Sequence, residues 1–306
     1  PDLGYYQNQL YKFGEQGDFI TAPEMGCLFA QCVANSINGC FEHQTSKRDI
    51  LELGAGSGIF AADLLQALEK LNALPQQYFI LESSPSLQSL QKQTISQQVP
   101  DLIERVVWLD GLPSMFNGMV LANEVADAIP CEVIQMQAGK WQYLGVAFDK
   151  GQFAWQLTKE VKAENLPSCL RQNDNYVNGY TTELRPLVHG WIKGLANSLS
   201  SGSILLFDYG YPQSEFYHAQ RLEGSLRAFS RHQAHSQVLE LVGLEDITSH
   251  VEFTQLASSA VEAKLEVRGF TTQMGYLLEN GILDMNDSDD GSHSAKNYQF
   301  SQQVQK

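Results

Sequence analysis

Apolar residues along the chain fall into short runs that alternate with segments of helical period. Ile50 to Leu53, Tyr78 to Leu81, Val106 to Leu109 and Met119 to Ala122 are nearly continuous apolar runs, as strands buried on both faces require. Between them, Ile59 to Leu71 sets Leu64, Leu65 and Leu68 on one helical face, and Pro85 to Ile95 gives a further helix. A helix from about Pro23 to Asn38 precedes the first strand, which runs from Lys47 to Gly54. The alternation predicts an α/β fold of Rossmann-like type, a mostly parallel central sheet wrapped by helices.

After Ile129-Pro130 the period changes. Glu132 to Met136, Trp141 to Phe148 and Phe153 to Thr158 read as strands turning at Ala138-Gly139 and Lys150-Gly151, a β-meander insertion. A long helix from about Glu183 to Leu199 then leads through Ser201-Gly202 to a core strand at Ile204 to Phe207. Ile247 to Phe253 and Gly269 to Thr272 read as strands around a helix from Thr254 to Glu266. The expected organisation is an N-terminal helical lid (1–46), a first core half (47–130), the meander (131–182) and a second core half (183–284). That second half carries a polar, His-bearing insertion (211–236), and an Asp-, Ser- and Gln-rich tail (285–306) follows it.

The strand ends carry the chemistry. The first strand closes in I-L-E-L-G-A-G-S-G at 50 to 58, where Gly54, Gly56 and Gly58 let a turn adopt positive φ and approach a ligand without Cβ atoms in the way. A dinucleotide turn spaced G-x-G-x-x-G would need glycine at 59, and the chain has Ile59. The spacing Glu52-x-Gly54-x-Gly56-x-Gly58 instead suits S-adenosylmethionine, whose amino acid and sulfonium tolerate a neighbouring acid that pyrophosphate would not. Glu82, at the end of the second strand, can accept hydrogen bonds from both ribose hydroxyls. NAD enzymes use the same device, so the glycine spacing has to choose between the two. Asp110-Gly111 ends the third strand, where adenine contacts are expected, and Asn123-Glu124 ends the fourth. Ligands in open α/β sheets bind at such carboxyl ends.

Composition narrows the setting. In 306 residues, 43% hydrophobic content supports a sizeable core, and no stretch approaches the ~18 uninterrupted apolar residues of a membrane span. A formal charge of −15 argues against sequence-independent nucleic-acid binding and permits a cationic peptide partner. Cys27, Cys32, Cys40, Cys131 and Cys169 are odd in number, without a C-x-x-C pair or zinc-like spacing to His, and read as reduced thiols. No metal site emerges. The chain begins at Pro1 without Met, which leaves room for a removed targeting segment.

Beyond cofactor class, eight segments carry a family resemblance. They are G-Y-Y at 4 to 6, G-D-F-I-T-A-P-E at 17 to 24, E-L-G-A-G-S-G at 52 to 58, E-S-S-P-S-L at 82 to 87, A-N-E-V-A-D-A-I-P at 122 to 130, D-Y-G at 208 to 210, S-L-R at 225 to 227 and D-I-T-S-H-V-E-F at 246 to 253. Together they resemble the MidA-like family of class I S-adenosylmethionine-dependent methyltransferases, whose mitochondrial members assist respiratory complex I assembly by methylating a protein arginine. The family usually has Pro where this chain has Ala55, and two aromatics where it has Val125 and Ala126.

The resemblance implies that Glu52, Gly54, Gly56 and Gly58 hold the methionine part of the cofactor and Glu82 the ribose, with Ser83 beside it. It further implies that Asp110 and Gly111 border the adenine, that Asn123 and Glu124 face the methyl group, and that Asp18, Thr21, Pro23 and Glu24 form a lid. The implied activity is S-adenosylmethionine-dependent methyl transfer to a protein arginine. The compartment would be cytoplasmic in a bacterium and the mitochondrial matrix in a eukaryote. A noncatalytic assembly factor that retains the cofactor pocket is the alternative, kept alive by Val125-Ala126. An NAD-dependent oxidoreductase is disfavoured by Ile59.

Methyl transfer from a sulfonium asks the enzyme for positioning and deprotonation. A guanidinium acceptor needs carboxylates that orient its fork. Glu124 is the first candidate. Asp127 shares its face if a helix starts after Asn123, or else serves as a helix-start charge. Asp208 ends a core strand and stands equally as acceptor contact or structural cap. His232, His235 and His250 are either bases or structural. Tyr5 and Tyr6 either line an acceptor channel or cap the core.

Overall fold

The computed structural model describes Tyr5 and residues 27–42, 48–171, 175–230 and 233–286. Helix α1 (Leu28–Glu42) leads into β1 (Asp49–Leu53), α2 (Ile59–Lys70), β2 (Tyr78–Leu81), α3 (Pro85–Gln98), β3 (Val106–Leu109) and β4 (Phe116–Asn123). Next come β5 (Glu132–Gln137), β6 (Lys140–Asp149), β7 (Gln152–Glu160), α4 (Ser168–Arg171), β8 (Thr181–Leu184), α5 (Leu187–Ser198) and β9 (Leu199–Phe207). The remainder is β10 (Gly210–Tyr211), α6 (Gln213–Phe216), β11 (Arg227–Ser230), β12 (Gln233–His235), β13 (Asp246–Thr248), β14 (Val251–Glu252), α7 (Phe253–Glu262) and α8 (Gln273–Glu279). Two compact units share these elements. The first takes residues up to Asn123, Asn197–Phe207 and residues from Arg268; the second takes Glu124–Ala196 and Asp208–Val267.

In the first unit a sheet of order β3-β2-β1-β4-β9 is parallel throughout. β1 is buried at every position, as its apolar run requires. Helix α2 buries Phe60, Leu64, Leu65 and Leu68, and α1 buries Phe29, Val33, Ile37 and Phe41 in the same core. Helix α3 starts at Ser84, whose Oγ accepts from the Leu87 amide, followed by Pro85 in the first turn. The strand order reverses between β1 and β4, so the carboxyl ends of these two strands flank the topological switch point, where α/β sheets bind ligands.

The second unit is built on the antiparallel sheet β7-β6-β5-β8, whose core gathers Ile134, Met136, Trp141, Tyr180, Leu184 and Tyr217. Smaller sheets β12-β11-β13 and β10-β14 complete it.

Four sequence expectations need correction. Thr181–Leu184 is a strand paired with β5, not the start of a helix: Pro186 lacks an amide donor and disfavours helix at Arg185, so α5 begins at Leu187. Residues 269–272 are not a strand; Thr272 caps α8 through an Oγ1 that accepts from the Gly275 amide at 3.1 Å. Helix α7 stops at Glu262 rather than Glu266, and Lys264 takes the left-handed φ of 70°. Ile247 to Phe253 divides into β13 and β14, which pair with different strands.

Candidate functional site

The turn after β1 has the left-handed conformation that its glycines permit: φ is 64° at Gly54, 53° at Gly56 and 86° at Gly58. A Cβ on Gly58 would lie 2.9 Å from the Gln91 Cα, so α3 passes directly against the turn. Two carboxylates are buried beside it. Glu52 is 3% exposed and accepts from the Tyr78 hydroxyl at 2.7 Å. Burial pushes its carboxyl up to about 7; the Tyr78 hydrogen bond works against the rise and the charge of Glu82 adds to it.

Glu82 is held by α3. Its Oε1 accepts from the Ser84 amide at 2.8 Å, its Oε2 from Gln91 Nε2 at 3.2 Å, and its carbonyl from Gln88 Nε2 at 2.8 Å. Gln91 Nε2 also lies 3.1 Å from the Gly56 carbonyl, and its Oε1 accepts from Trp108 Nε1 at 3.0 Å. Fully buried Gln91 therefore ties the glycine turn, the β2 acid and β3 together. The Gln88 and Gln91 spacing, one turn apart on the helix after the acid, was the available signal for this network. Ser83, Asp110 and Gly111 are exposed at the ends of β2 and β3, and Asn123 closes β4 half-buried. Asp18, Thr21, Pro23, Glu24 and His232 lie outside the described residues.

The second unit gathers the remaining candidates. No helix begins after Asn123; residues 124–130 form bends and a turn, so Asp127 is not a helix-start charge. Glu124 has φ 51°, and its Oε1 accepts from the Tyr209 hydroxyl at 3.3 Å. Asp208 clamps the turn, with Oδ2 accepting from the amides of Ala126 at 2.8 Å and Asp127 at 3.1 Å. Burial raises both the Asp127 and the Asp208 carboxyls, and for Asp208 the charges of Asp127 and Glu124 add to the rise.

Arg185, 1% exposed, sits beneath this turn. Its guanidinium donates to the carbonyls of Ala126, Ser249 and His250 and to the Ser249 hydroxyl, joining two of the motif segments. Because Ala126 takes part through backbone atoms, its small side chain leaves these contacts intact. Buried Glu183 accepts from the Ser225 and Leu226 amides and the Ser225 hydroxyl. His250 packs against the Tyr211 ring at 5.2 Å, and burial lowers its pKa, with the cations of Arg221, Arg227 and Arg185 contributing. His235 pairs with Glu245 at 3.1 Å. Arg185 and Glu183 escaped the sequence reading because both fall where a helix was expected.

The sequence pattern of the S-adenosyl-L-methionine-dependent methyltransferases matches residues 32–271. The chain belongs to this family. A Burkholderia thailandensis protein, crystallised with S-adenosyl-homocysteine, matches at 35% identity and a TM-score of 0.93, covering 100% of this chain and 80% of that one. A native structure from the same organism matches at 36% identity and 0.89, covering 100% and 79%. The Caenorhabditis elegans "Protein arginine methyltransferase NDUFAF7 homolog, mitochondrial" is 27% identical over 92% of this chain and 70% of its own length. Its Drosophila melanogaster counterpart is 28% identical over 83% of this chain, which spans 62% of that relative. The chain is a methyltransferase of Rossmann-like fold whose cofactor is S-adenosylmethionine.

The first unit of this methyltransferase fits that cofactor. Three left-handed glycines at alternate positions keep Cβ atoms off the turn, and two buried carboxylates flank it where a cation and a diol would need acceptors. Among the described residues no helix is long and apolar enough to cross a membrane, and all five cysteines are free thiols.

Proposed function

We propose that this methyltransferase modifies a protein arginine, with Glu124 as the carboxylate that receives the guanidinium. The observation that carries the reading is the anchoring of Glu124: a left-handed residue oriented by Tyr209 on a turn clamped by Asp208. A carboxylate so held can accept two parallel N–H bonds from a guanidinium and leave one nitrogen free to react. The relatives bearing the name protein arginine methyltransferase support the same class.

In this reading Glu52, Gly54, Gly56 and Gly58 hold the methionine part of the cofactor. Glu82 holds the ribose: the Ser84 amide and Gln91 Nε2 fix its carboxylate at the end of β2, and a carboxylate accepts from both hydroxyls of a diol. Ser83, Asp110 and Gly111 border the adenine, and Asn123 the methyl-bearing end. When bound, S-adenosylmethionine supplies a methyl group activated by its sulfonium charge. Glu124 orients the acceptor nitrogen and takes up its proton; Asp208 acts through the turn as a positioning residue, and Asp127 adds negative charge beside it.

Glu124→Gln tests the assignment. It is expected to bind S-adenosylmethionine within about twofold of wild type and to lose about 100-fold or more in turnover with radiolabelled methyl donor. Full activity would remove Glu124 from the mechanism. Hydrolysis of the labelled protein product is expected to release methylarginine, and methyl-lysine in its place would overturn the substrate class.

A further inference from the structure

Within the second unit, a groove of about 670 Å³ runs beside the β6–β7 hairpin. Val146, Phe153 and Trp155 line it from the hairpin, and Val238, Val242 and Ile247 line it from the chain that follows β12. Five of these are large apolar side chains left exposed: Val146 at 53%, Phe153 at 46%, Trp155 at 38%, Val242 at 51% and Ile247 at 37%. Apolar side chains grouped around one concavity, rather than scattered, mark a binding surface.

The charged lining is asymmetric. Asp127 and Glu132 face the groove with Ser249, and among the described residues its one ammonium, Lys159, lies over the Tyr143 ring at 5.4 Å. Asp127 is in turn bonded through its amide to Asp208, within the carboxylate cluster that contains Glu124. One wall also ends in a strand edge, because among the described residues β7 is terminal in the order β7-β6-β5-β8 and offers backbone donors and acceptors to an added strand.

We propose that this groove seats the apolar residues flanking the basic side chain of an extended acceptor peptide. The apolar walls take the flanking side chains, the β7 edge takes the backbone, and Asp127 with its carboxylate neighbours draws the cation. The net charge of −15 favours the same occupant. This inference rests on the protein-substrate reading above and adds to it the sequence context that the enzyme selects: apolar residues on both sides of the cation.

Two fluorescently labelled peptides test it, Leu-Phe-Arg-Val-Leu and Ser-Gly-Arg-Gly-Ser, titrated by anisotropy against the full chain with S-adenosyl-homocysteine present. The apolar peptide is expected to bind about tenfold or more tightly, as burial of one or two aliphatic side chains implies. Trp155→Ser, a change at a partly exposed site, is expected to erase that preference while leaving S-adenosyl-homocysteine affinity unchanged. Equal binding of the two peptides, or a preference that survives Trp155→Ser, overturns the proposal. So does sedimentation showing that wild type is a dimer and Trp155→Ser a monomer, since a second copy would then fill the groove. A Leu-Phe-Lys-Val-Leu peptide separates the two readings: methylation of the lysine peptide alone defeats the arginine assignment and leaves the groove standing.

Discussion

Glu52 shows how one buried carboxyl couples folding to pH. Its ordinary value of 4.5 is pushed up to about 7 by burial, so between these limits the folded chain holds a proton that the unfolded chain has released. Stability from this group is therefore full below about 4.5 and is lost as pH rises through about 7. A cation held beside Glu52 favours the ionised form, so binding near pH 6 must first expel that proton. Affinity for S-adenosylmethionine is expected to rise about tenfold from about pH 6 to about pH 8. In Glu52→Gln, which keeps an acceptor for the Tyr78 hydroxyl, that rise is expected to vanish. Calorimetry on both proteins checks it, and parallel pH slopes would separate Glu52 from the cofactor. Glu52 and Glu82 were legible in the sequence because each ends or nearly ends an apolar run. Tyr78 and Gln91 were not, since their partnership depends on the pairing of β1 with β2 and on α3 lying against the glycine turn.

At the scale of elements, apolar runs and glycine turns reported the parallel sheet, because its inner strands β1 and β4 are buried at all or most positions. The second unit was harder to read. β8 is four residues long and directly precedes the amphipathic α5, so its alternation is absorbed into a helical period. That misreading hid Arg185, whose guanidinium holds the turn after β4 to the loop between β13 and β14. Arg185→Met is expected to destabilise the protein by about 3 kcal/mol, because it leaves buried carbonyls unsatisfied and the Asp127 carboxyl without its compensating cation. The urea midpoint should fall with an unchanged slope. An unaltered midpoint would mean that Arg185 contributes little beyond packing. Lysine is a poor substitute here, since a single ammonium lacks the planar fork that reaches several carbonyls at once.

The chain crosses between its two units four times, and two of these crossings fall at the ends of adjacent strands. Asn123 and Phe207 are register partners at the ends of adjacent strands, and the residues that follow them are Glu124 and Asp208. These two carboxylates are thus the first residues beyond the parallel sheet on two neighbouring strands. Sequence alone put both at strand ends, but could not show that Asp208 would bond the turn carrying Glu124, nor that a groove would form beside Asp127. Net charge belongs to this scale too. A chain of −15 attracts a cationic peptide over about a Debye length, so encounter should weaken as salt shortens that length, while chemistry inside the bound complex should not. For an arginine peptide of net positive charge, KM is expected to rise several-fold between about 50 and 200 mM salt with kcat nearly constant. The control is an arginine peptide made neutral by distal glutamates, whose KM should stay within about twofold over the same range. If KM is flat for the cationic peptide as well, the field of the whole protein plays no part in acceptor capture, and selection falls to the groove and Glu124 alone.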